Sequence, residues 1–283
     1  MQLIENQRPM ETSLPERLPF DAPFKVQISG LHHSFTTRGK VTEAVHDVDL
    51  TVRDQEFVAL VGPSGCGKTT VLNCVAGLLR PTRGVVDYDG QPVTTLNRRI
   101  GYLSQKDTLL PWRNVADNVR IALELKCRPT SRRETDARVE AMLDLVGLNG
   151  FERHYPAELS GGMRKRAALA RTLIYEPEAL LLDEPFGALD AQLRLIMLDQ
   201  LQKLTLLRRI TVLFVTHDLG EAITLADRVV VFSARPARIR VIREVPLPRP
   251  RDVFKVRFDP LFARLNEELW DELKDDVAKG TDI

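Results

Sequence analysis

The order of apolar and polar positions along the chain predicts β-strands that alternate with helices. Lys25–Ile28 and Val45–Val52 alternate like strands with one face exposed to solvent. Continuous apolar runs are typical instead of strands buried on both faces of a parallel sheet. Such runs are Phe57–Val61, Ala179–Leu182, Thr211–Val215 and Val229–Phe232. Because helical stretches separate these runs, the pattern predicts an α/β fold with a mostly parallel core sheet.

Helical patterns fill the segments between the strands and also a longer region without strand signals. That region, from Gln105 to Ser160, is predicted to be an α-helical insertion into the α/β core. The predicted helices are Thr69–Ala76, Leu109–Leu125, Arg133–Val146 and an amphipathic terminal helix at Pro260–Val277. Gly77 ends the first of them, and a polar break at Cys127–Arg132 separates the second from the third.

Composition places the chain among soluble globular proteins. Of its 283 residues, 43% are hydrophobic and 28% are charged, and the net charge of +1 gives no general basic field for nucleic acid. No apolar run approaches the roughly 20 residues of a membrane span, and the first residues lack the apolar region of a signal peptide. Cys66, Cys74 and Cys127 lack disulfide or zinc spacing, which favours a reducing compartment. These features predict a cytosolic protein without a membrane segment of its own.

The two ends of the chain differ in composition from its centre. Residues 1–23 contain several prolines among polar residues and are predicted to form a flexible tail. Near the other end, a basic stretch at Arg235–Arg257 precedes an acidic stretch after Asp259, and prolines predict strand-and-loop structure for the basic part. The basic stretch has three interpretations: a solvated face, a surface for anionic lipid, or a partner of the acidic terminal helix.

A glycine-rich segment follows the first continuous apolar run and precedes a helix. It consists of Gly62, Pro63, Ser64, Gly65, Cys66, Gly67, Lys68 and Thr69, with Thr70 next, and it matches G-x-x-x-x-G-K-[ST]. In such a loop the backbone N–H groups and the helix N-terminus surround a triphosphate. Lys68 is expected to reach the β- and γ-phosphates, and the Thr69 hydroxyl to ligate Mg²⁺. Cys66 is interpreted as a small filler residue or as a redox-active thiol.

Polar residues follow two further apolar runs at the edge where ligands bind in open α/β sheets. Asp183 and Glu184 come directly after one run, and His217 follows another. We expect Asp183 to share Mg²⁺ with Thr69, Glu184 to polarise the attacking water, and His217 to contact the γ-phosphate. A solvated turn after a core strand is the alternative for the acidic pair, and a structural role is the alternative for the histidine.

These residues resemble the ATP-binding subunits of ABC transporters over nearly the whole chain, from Phe24 into the C-terminal helix. The matching motifs, in family order, are the phosphate loop, Gln105 within Tyr102–Gln105, the signature Leu159–Met163, the run Leu180–Glu184, the turn Gly187–Asp190, and His217. Phe35 matches the aromatic residue that stacks on adenine, although Thr36–Lys40 stretches its spacing. The commonest family signature ends in Gln, whereas this one ends in Met163.

The resemblance implies a fold, an organisation and a mechanism. The fold is a P-loop NTPase with a RecA-like core, a mixed sheet, a helical subdomain at about residues 105–163 and a short C-terminal appendage. The domains are a tail at residues 1–23, an ATP-binding domain at 24–235 and an extension at 236–283. Two copies form a homodimer, head to tail, with ATP between one phosphate loop and the Ser160, Gly161 and Gly162 of the other copy. Glu184 then activates water, Gln105 and His217 contact the γ-phosphate and metal site, and Asp190 signals across the dimer.

Three smaller features resemble the nitrate, sulfonate and taurine importer branch of the family. They are Leu109–Trp112, Gly161–Arg164 and Leu247–Arg251. The resemblance implies transmembrane permease subunits as partners, an extracytoplasmic solute-binding protein as an indirect one, and a peripheral location on the cytoplasmic face of the bacterial inner membrane. Trp112 and the residues around it are interpreted either as core or as part of the groove that receives the permease.

Other functions compete with a solute importer. A soluble ABC ATPase that acts on nucleic acid or ribosomes usually carries paired ATPase units or coiled coils, and this chain has one phosphate loop and no heptad stretch. We expect no nucleic acid partner. A GTPase switch is disfavoured because no Asn-Lys-x-Asp motif is present. An exporter or another transporter branch stays open, because the permease sets the direction of transport.

Overall fold

The computed structural model describes residues 23–106, 108–125 and 131–280, with side chains as far as residue 276. The predicted tail before residue 23 and Cys127 in the predicted polar break lie outside the described residues. The strands are β1 Phe24–Thr37, β2 Lys40–Arg53, β3 Phe57–Val61, β4 Arg83–Tyr88, β5 Gln91–Pro92, β6 Ile100–Leu103, β7 Ala179–Asp183, β8 Thr211–Val215, β9 Arg228–Phe232 and β10 Ile239–Glu244. The α-helices are α1 Lys68–Val75, α2 Val115–Leu125, α3 Arg132–Leu145, α4 Gly161–Leu173, α5 Ala191–Leu207, α6 Leu219–Leu225 and α7 Pro260–Gly280.

The strands form two sheets. The larger sheet has the order β10-β9-β3-β8-β7-β6, in which β10 pairs antiparallel with β9 and the other pairs are parallel. The smaller sheet is antiparallel with the order β2-β1-β4-β5. The α/β fold with a mixed sheet is thereby confirmed. Each continuous apolar run of the sequence is a buried strand of the larger sheet, because parallel strands are covered on both faces.

Helix α1 lies between the two sheets. Its Val71 and Leu72 belong to one buried cluster with Val58 and Leu60 of β3 and with Ile28 of the smaller sheet. Helices α4, α5, α6 and α7 contribute to a second cluster, which includes Phe57, Leu182 and Phe214 on the opposite face of the larger sheet. The first turn of α1 therefore stands at the carboxyl end of β3, where the sequence places its phosphate loop.

The first helix of the predicted insertion begins later than the apolar pattern indicates. Asn114 accepts a hydrogen bond from the Asp117 N–H at 2.8 Å, so α2 begins at Val115 rather than at Leu109. Asn118 is fully buried and holds the preceding loop: its amide accepts from the Leu110 N–H at 2.7 Å and donates to the Arg113 carbonyl at 2.8 Å. This loop presents Trp112, whose side chain is 70% exposed, so the interpretation of Trp112 as core is wrong.

The basic stretch near the C-terminus contacts the acidic terminal helix. The Arg240 guanidinium lies 3.0 Å from Asp276, and the Arg243 guanidinium lies 3.4 Å from Glu272, both carboxylates being on α7. Arg251 is 4% exposed. The interpretation of a solvated face is therefore wrong for Arg251, while Arg240 and Arg243 are partly exposed, and the predicted partnership with the terminal helix is present in the structure.

Arg251 joins several elements through backbone carbonyls. Its guanidinium donates to the carbonyls of Ile223, Thr224, Ala226, Val245 and Leu247, and its backbone exchanges two hydrogen bonds of 2.8 Å with the Gln202 amide on α5. Burial lowers the pKa of Arg251 to about 10, so the side chain stays charged at neutral pH. The residue fixes the C-terminal segment onto α5 and the end of α6.

We expect Arg251→Met to lower the free energy of unfolding by at least about 3 kcal/mol. The change leaves several buried carbonyls without a donor, and each costs about 1–3 kcal/mol. Urea unfolding followed by circular dichroism measures the effect. Arg243→Met is the matched control: its side chain is 41% exposed, so its ion pair is worth about 1 kcal/mol or less. Equal losses in the two variants would contradict the role of Arg251.

Candidate nucleotide site

The glycine-rich segment forms the turn between β3 and α1. Gly67 has a φ of 132°, and a Cβ there would lie 2.5 Å from the Ala44 carbonyl oxygen, so only glycine fits between the loop and β2. Lys68 is 4% exposed, and its ammonium group donates to the carbonyls of Gly62 and Pro63 at 2.8 Å each. The lysine therefore curls back over its own loop, where phosphate oxygens bind in loops of this type.

Thr69 and Asp183 meet at the end of the loop. The Thr69 hydroxyl donates to a carboxylate oxygen of Asp183 at 2.9 Å, although 114 residues separate them in sequence. Asp183 is 1% exposed, and burial raises the pKa of its carboxyl, while the Thr69 hydrogen bond acts in the opposite direction. Two adjacent oxygen donors of this kind suit Mg²⁺, which prefers hard oxygen ligands.

The structure brings Glu184, Gln105 and His217 together. A carboxylate oxygen of Glu184 lies 3.2 Å from the Gln105 amide nitrogen and 3.8 Å from the His217 Nδ1. Glu184 has a φ of 49°, which is unusual for a residue with a side chain, and its N–H donates to the Val215 carbonyl at 2.9 Å. The backbone thus turns the carboxylate away from the strand axis and toward the two other side chains.

Lys165 supports this cluster, and sequence reasoning did not identify it. Its ammonium group donates to the Ser104 carbonyl at 3.0 Å and also to the Gln105 carbonyl, and the residue is 8% exposed. It fixes the backbone that carries the Gln105 amide to helix α4. No local signal singled it out, because Lys165 stands between Arg164 and Arg166 in a basic segment whose buried members cannot be told apart by pattern.

The loop that carries His217 is also held from a neighbouring helix. The Thr216 hydroxyl donates to the buried carboxylate of Glu221 at 2.7 Å and accepts from the Asp218 N–H at 3.0 Å. Burial raises the pKa of Glu221. Asp218 caps α6 by accepting from the Glu221 N–H at 3.1 Å. These bonds fix the backbone around His217, while the imidazole itself is 62% exposed.

The signature residues form a second group. Ser160 is the N-cap of α4 and accepts from the Met163 N–H at 3.2 Å, and a Cβ on Gly162 would lie 2.9 Å from Leu189. Asp190 caps α5 by accepting from the N–H groups of Gln192 and Leu193 at 3.1 and 2.9 Å. Gly161 is the first residue of α4. Because Gly162 lies against Leu189, the first turn of α4 and the turn before α5 are neighbours.

The described contacts do not connect this second group to the phosphate loop within one chain. Phe35 is likewise separate: it lies on β1, 42% exposed, and its ring meets the ring of His33 edge to face at 4.6 Å. Met163, at the position where the family's commonest signature has Gln, is partly buried against the core. Ser64, Gly65 and Thr70 lie in the loop and the first turn of α1.

Two further observations concern the loop itself. Cys66 is 1% exposed and its sulfur lies 3.6 Å from the Lys68 nitrogen, so the thiol faces the interior as a small packing residue. Arg235, from the start of the basic stretch, donates to the Gly65 carbonyl at 2.9 Å. Sequence reasoning missed the Arg235 contact because 170 residues separate the two positions.

Comparisons with known proteins find a matching family model and several similar sequences. A family model described as "ABC transporter" matches residues 45–187. An uncharacterized ABC transporter ATP-binding protein of Methanocaldococcus jannaschii is 44% identical, with 90% of this chain and 94% of that protein covered. The nitrate import ATP-binding protein NrtD of Synechococcus elongatus is 42% identical, covering 84% and 87%. The aliphatic sulfonates import ATP-binding protein SsuB of Bacillus cereus is 38% identical, covering 86% and 95%.

A solved structure is also similar to this chain. It is a dimeric ATP-binding cassette, MJ0796, in a post-hydrolysis state bound to ADP and Pi. The TM-score is 0.73 at 30% identity, and the alignment covers 78% of this chain and 99% of the other. Among the described residues, none of the helices has both the length and the apolar character that a membrane crossing requires.

Proposed function

The chain belongs to the ABC transporter family as an ATP-binding subunit with an ABC-type ATPase domain, and we propose that it drives the import of a small oxoanion through a separate permease. The observation that carries this proposal is the position of Glu184, which lies beside both Gln105 and His217 at the strand end next to Thr69 and Asp183. In the proposal, Glu184 is the base, Gln105 and His217 are polar contacts for the γ-phosphate, and Thr69 and Asp183 are the metal ligands, all at one phosphate loop.

In the proposed reaction each residue has a role that follows from its position. Lys68 and the backbone N–H groups from Ser64 to Thr70 hold the phosphates of ATP. Thr69, Asp183 and Gln105 provide oxygen ligands for Mg²⁺, which neutralises charge on the phosphates when it is bound. Glu184 accepts a proton from the attacking water, and His217 contacts the γ-phosphate. Phe35 stacks on the adenine ring.

The second group supports a shared site between two copies. Ser160, Gly161 and Gly162 open a helix of 13 residues, so its N-terminal N–H groups and positive dipole end suit a phosphate. Because none of the contacts described in the structure joins these residues to the phosphate loop of their own chain, we propose that they bind the γ-phosphate held by a second copy. Asp190 lies in the adjacent turn, and in the proposal it transmits this contact from one copy of the dimer to the other. The similar cassette MJ0796 is described as dimeric.

The proposed cargo follows from the relatives. Proteins 42% and 38% identical to this chain are named for the import of nitrate and of aliphatic sulfonates, so we propose nitrate, a sulfonate or a taurine-like solute. The subunit would act on the cytoplasmic face of the plasma membrane, bound to transmembrane permease subunits that receive solute from an extracytoplasmic binding protein. We propose that residues 24–235 are the ATP-binding domain, with a helical subdomain at 105–163 and an extension at 236–283.

Co-purification followed by transport tests this function. The tagged chain is isolated from detergent-solubilised membranes of its source cells, and the permease that comes with it is reconstituted in vesicles with the solute-binding protein. We expect ATP-dependent uptake of labelled nitrate, taurine or an alkanesulfonate. A complex with the Lys68→Ala subunit is the inactive control and should show no uptake. If no integral membrane protein co-purifies, the importer proposal is wrong. Uptake of none of these anions by an active complex would reject the proposed cargo.

A further inference from the structure

Two histidines and one glutamate that have no role in the proposed ATP site converge on the smaller sheet. His32 lies on β1, and Glu43 and His46 lie on β2. In the described part of the chain, this trio is a group whose possible ligand atoms all lie within 4.8 Å of one another. Its side chains are 24%, 39% and 31% exposed, so the cluster is partly enclosed and still open to solvent.

The distances within the trio are close to those of a metal centre. A single oxygen of Glu43 lies 3.5 Å from the His32 Nδ1 and 2.7 Å from the His46 Nδ1. Ligands of a tetrahedral zinc ion at bond lengths of about 2.0–2.1 Å are separated by roughly 3.3 Å. One distance already matches this spacing, and the other requires His46 and Glu43 to separate by about 0.6 Å to reach it.

The surroundings of the trio add a feature that metal-binding histidines commonly have. The second ring nitrogen of His32, Nε2, faces the Asp47 carboxylate at 3.8 Å. At this distance, which is longer than a hydrogen bond, the Asp47 charge favours the proton on Nε2 and so leaves Nδ1 free to face an ion.

The backbone holds the ligands in place. The Ala237 N–H donates to the Ala44 carbonyl at 2.9 Å, and the His46 N–H donates to the Ala237 carbonyl at 3.0 Å, which fixes β2 on both sides of Val45. The rings of His32 and His46 are 4.7 Å apart and tilted by 66°, so both Nδ1 atoms reach the same carboxylate. Little rearrangement is needed to admit an ion.

We propose that His32, Glu43 and His46 form a binding site for a divalent transition-metal ion, with Zn²⁺ as the best match and Asp47 orienting His32. Two imidazoles and one carboxylate suit zinc better than Mg²⁺, which prefers an all-oxygen shell. The site goes beyond the proposed function and is independent of it. It lies one residue from Ala44, whose carbonyl borders Gly67 of the phosphate loop.

Calorimetric titration with ZnCl₂ tests the site on the full-length chain. Saturating Mg²⁺ is present to occupy the oxygen ligands at Asp183 and Glu184, and no nucleotide is added, because its phosphates would themselves bind zinc. We expect one equivalent to bind to the wild-type chain and to His154→Gln, a control histidine outside the cluster. His46→Asn should bind at least tenfold more weakly, and Asp47→Asn about tenfold more weakly. Bound Co²⁺ should show the intense visible bands of a tetrahedral site in the wild-type chain and in His154→Gln, and not in His46→Asn.

Several outcomes would overturn the proposal. They are the absence of zinc binding to the folded wild-type chain, unchanged binding in His46→Asn, or an equal loss in His154→Gln. In that case the trio is an ion-pair cluster that stabilises the β1–β2 pair. Glu43→Gln is a second variant for the event that His46→Asn does not fold, and circular dichroism monitors the fold of each protein. ATP hydrolysis is measured separately, so failure of the metal site does not bear on the transport proposal.

Discussion

Glu184→Gln should abolish ATP turnover while leaving ATP binding intact. The substitution keeps the size of the side chain and its contacts with Gln105 and His217, but an amide does not accept the proton of the attacking water. Loss of a general base lowers the rate about 10²–10⁴-fold. Because ATP is then bound but not hydrolysed, two copies should remain closed around it. Phosphate release measures turnover, and size-exclusion chromatography at saturating ATP measures the dimer.

The matched control for this prediction is Glu140→Gln, which removes the same charge from an exposed position on α3. It should leave both turnover and oligomeric state unchanged. A Glu184→Gln chain that stays monomeric at saturating ATP would contradict the shared-site mechanism. A chain that hydrolyses ATP at the wild-type rate would contradict the role of Glu184 as the base.

Trp112→Ala should abolish solute uptake while sparing ATP hydrolysis by the isolated subunit. The indole is 70% exposed, and the loop that carries it is held from below by the buried Asn118. Losing the exposed ring therefore costs little stability, and it removes a large anchor of the kind that dominates protein interfaces. We expect uptake in permease-containing vesicles to fall to background, with the ATPase rate of the free subunit within about twofold of wild type.

Trp270→Ala is the matched control, since this second tryptophan is also half exposed, at 51%, but lies on the terminal helix α7. It should leave uptake unchanged. Loss of hydrolysis and uptake together in Trp112→Ala would instead indicate that the residue is needed for folding. Equal loss of uptake in both variants would show that exposed tryptophans contribute without regard to position, and would contradict a permease contact at Trp112.

Much of the nucleotide site can be predicted from the sequence because its parts are short and contiguous. The phosphate loop follows a strand that the apolar pattern predicts, and the acidic pair and His217 follow two others. The carboxyl ends of parallel strands meet at one edge of a sheet, so these residues have to lie near one another. The meeting of Thr69 with Asp183 follows from this rule.

Other contacts could not be predicted, because each joins residues that no local pattern relates. Lys165 anchors the Gln105 backbone from a helix 60 residues away, and Arg235 reaches the loop from 170 residues away. The apolar pattern predicts that α2 begins at Leu109, whereas it begins at Val115. Asn114 caps the helix there, and Asn118 holds the preceding loop, through hydrogen bonds that depend on this packing. The same limit explains the basic stretch, whose charges indicate a solvated face until α7 is placed beside it.

The sequence by itself determined four buried strands of the larger sheet, the phosphate loop and the family, since periodicity and short motifs depend on neighbouring residues. Only the tertiary structure decided which polar groups pair across distant segments. It buried Arg251 among carbonyls from α6 and the strand β10 region, exposed Trp112, and brought His32 to Glu43 and His46. The reason is physical: the free energy of burying a charge depends on the partners that folding supplies, and those partners come from separate parts of the chain.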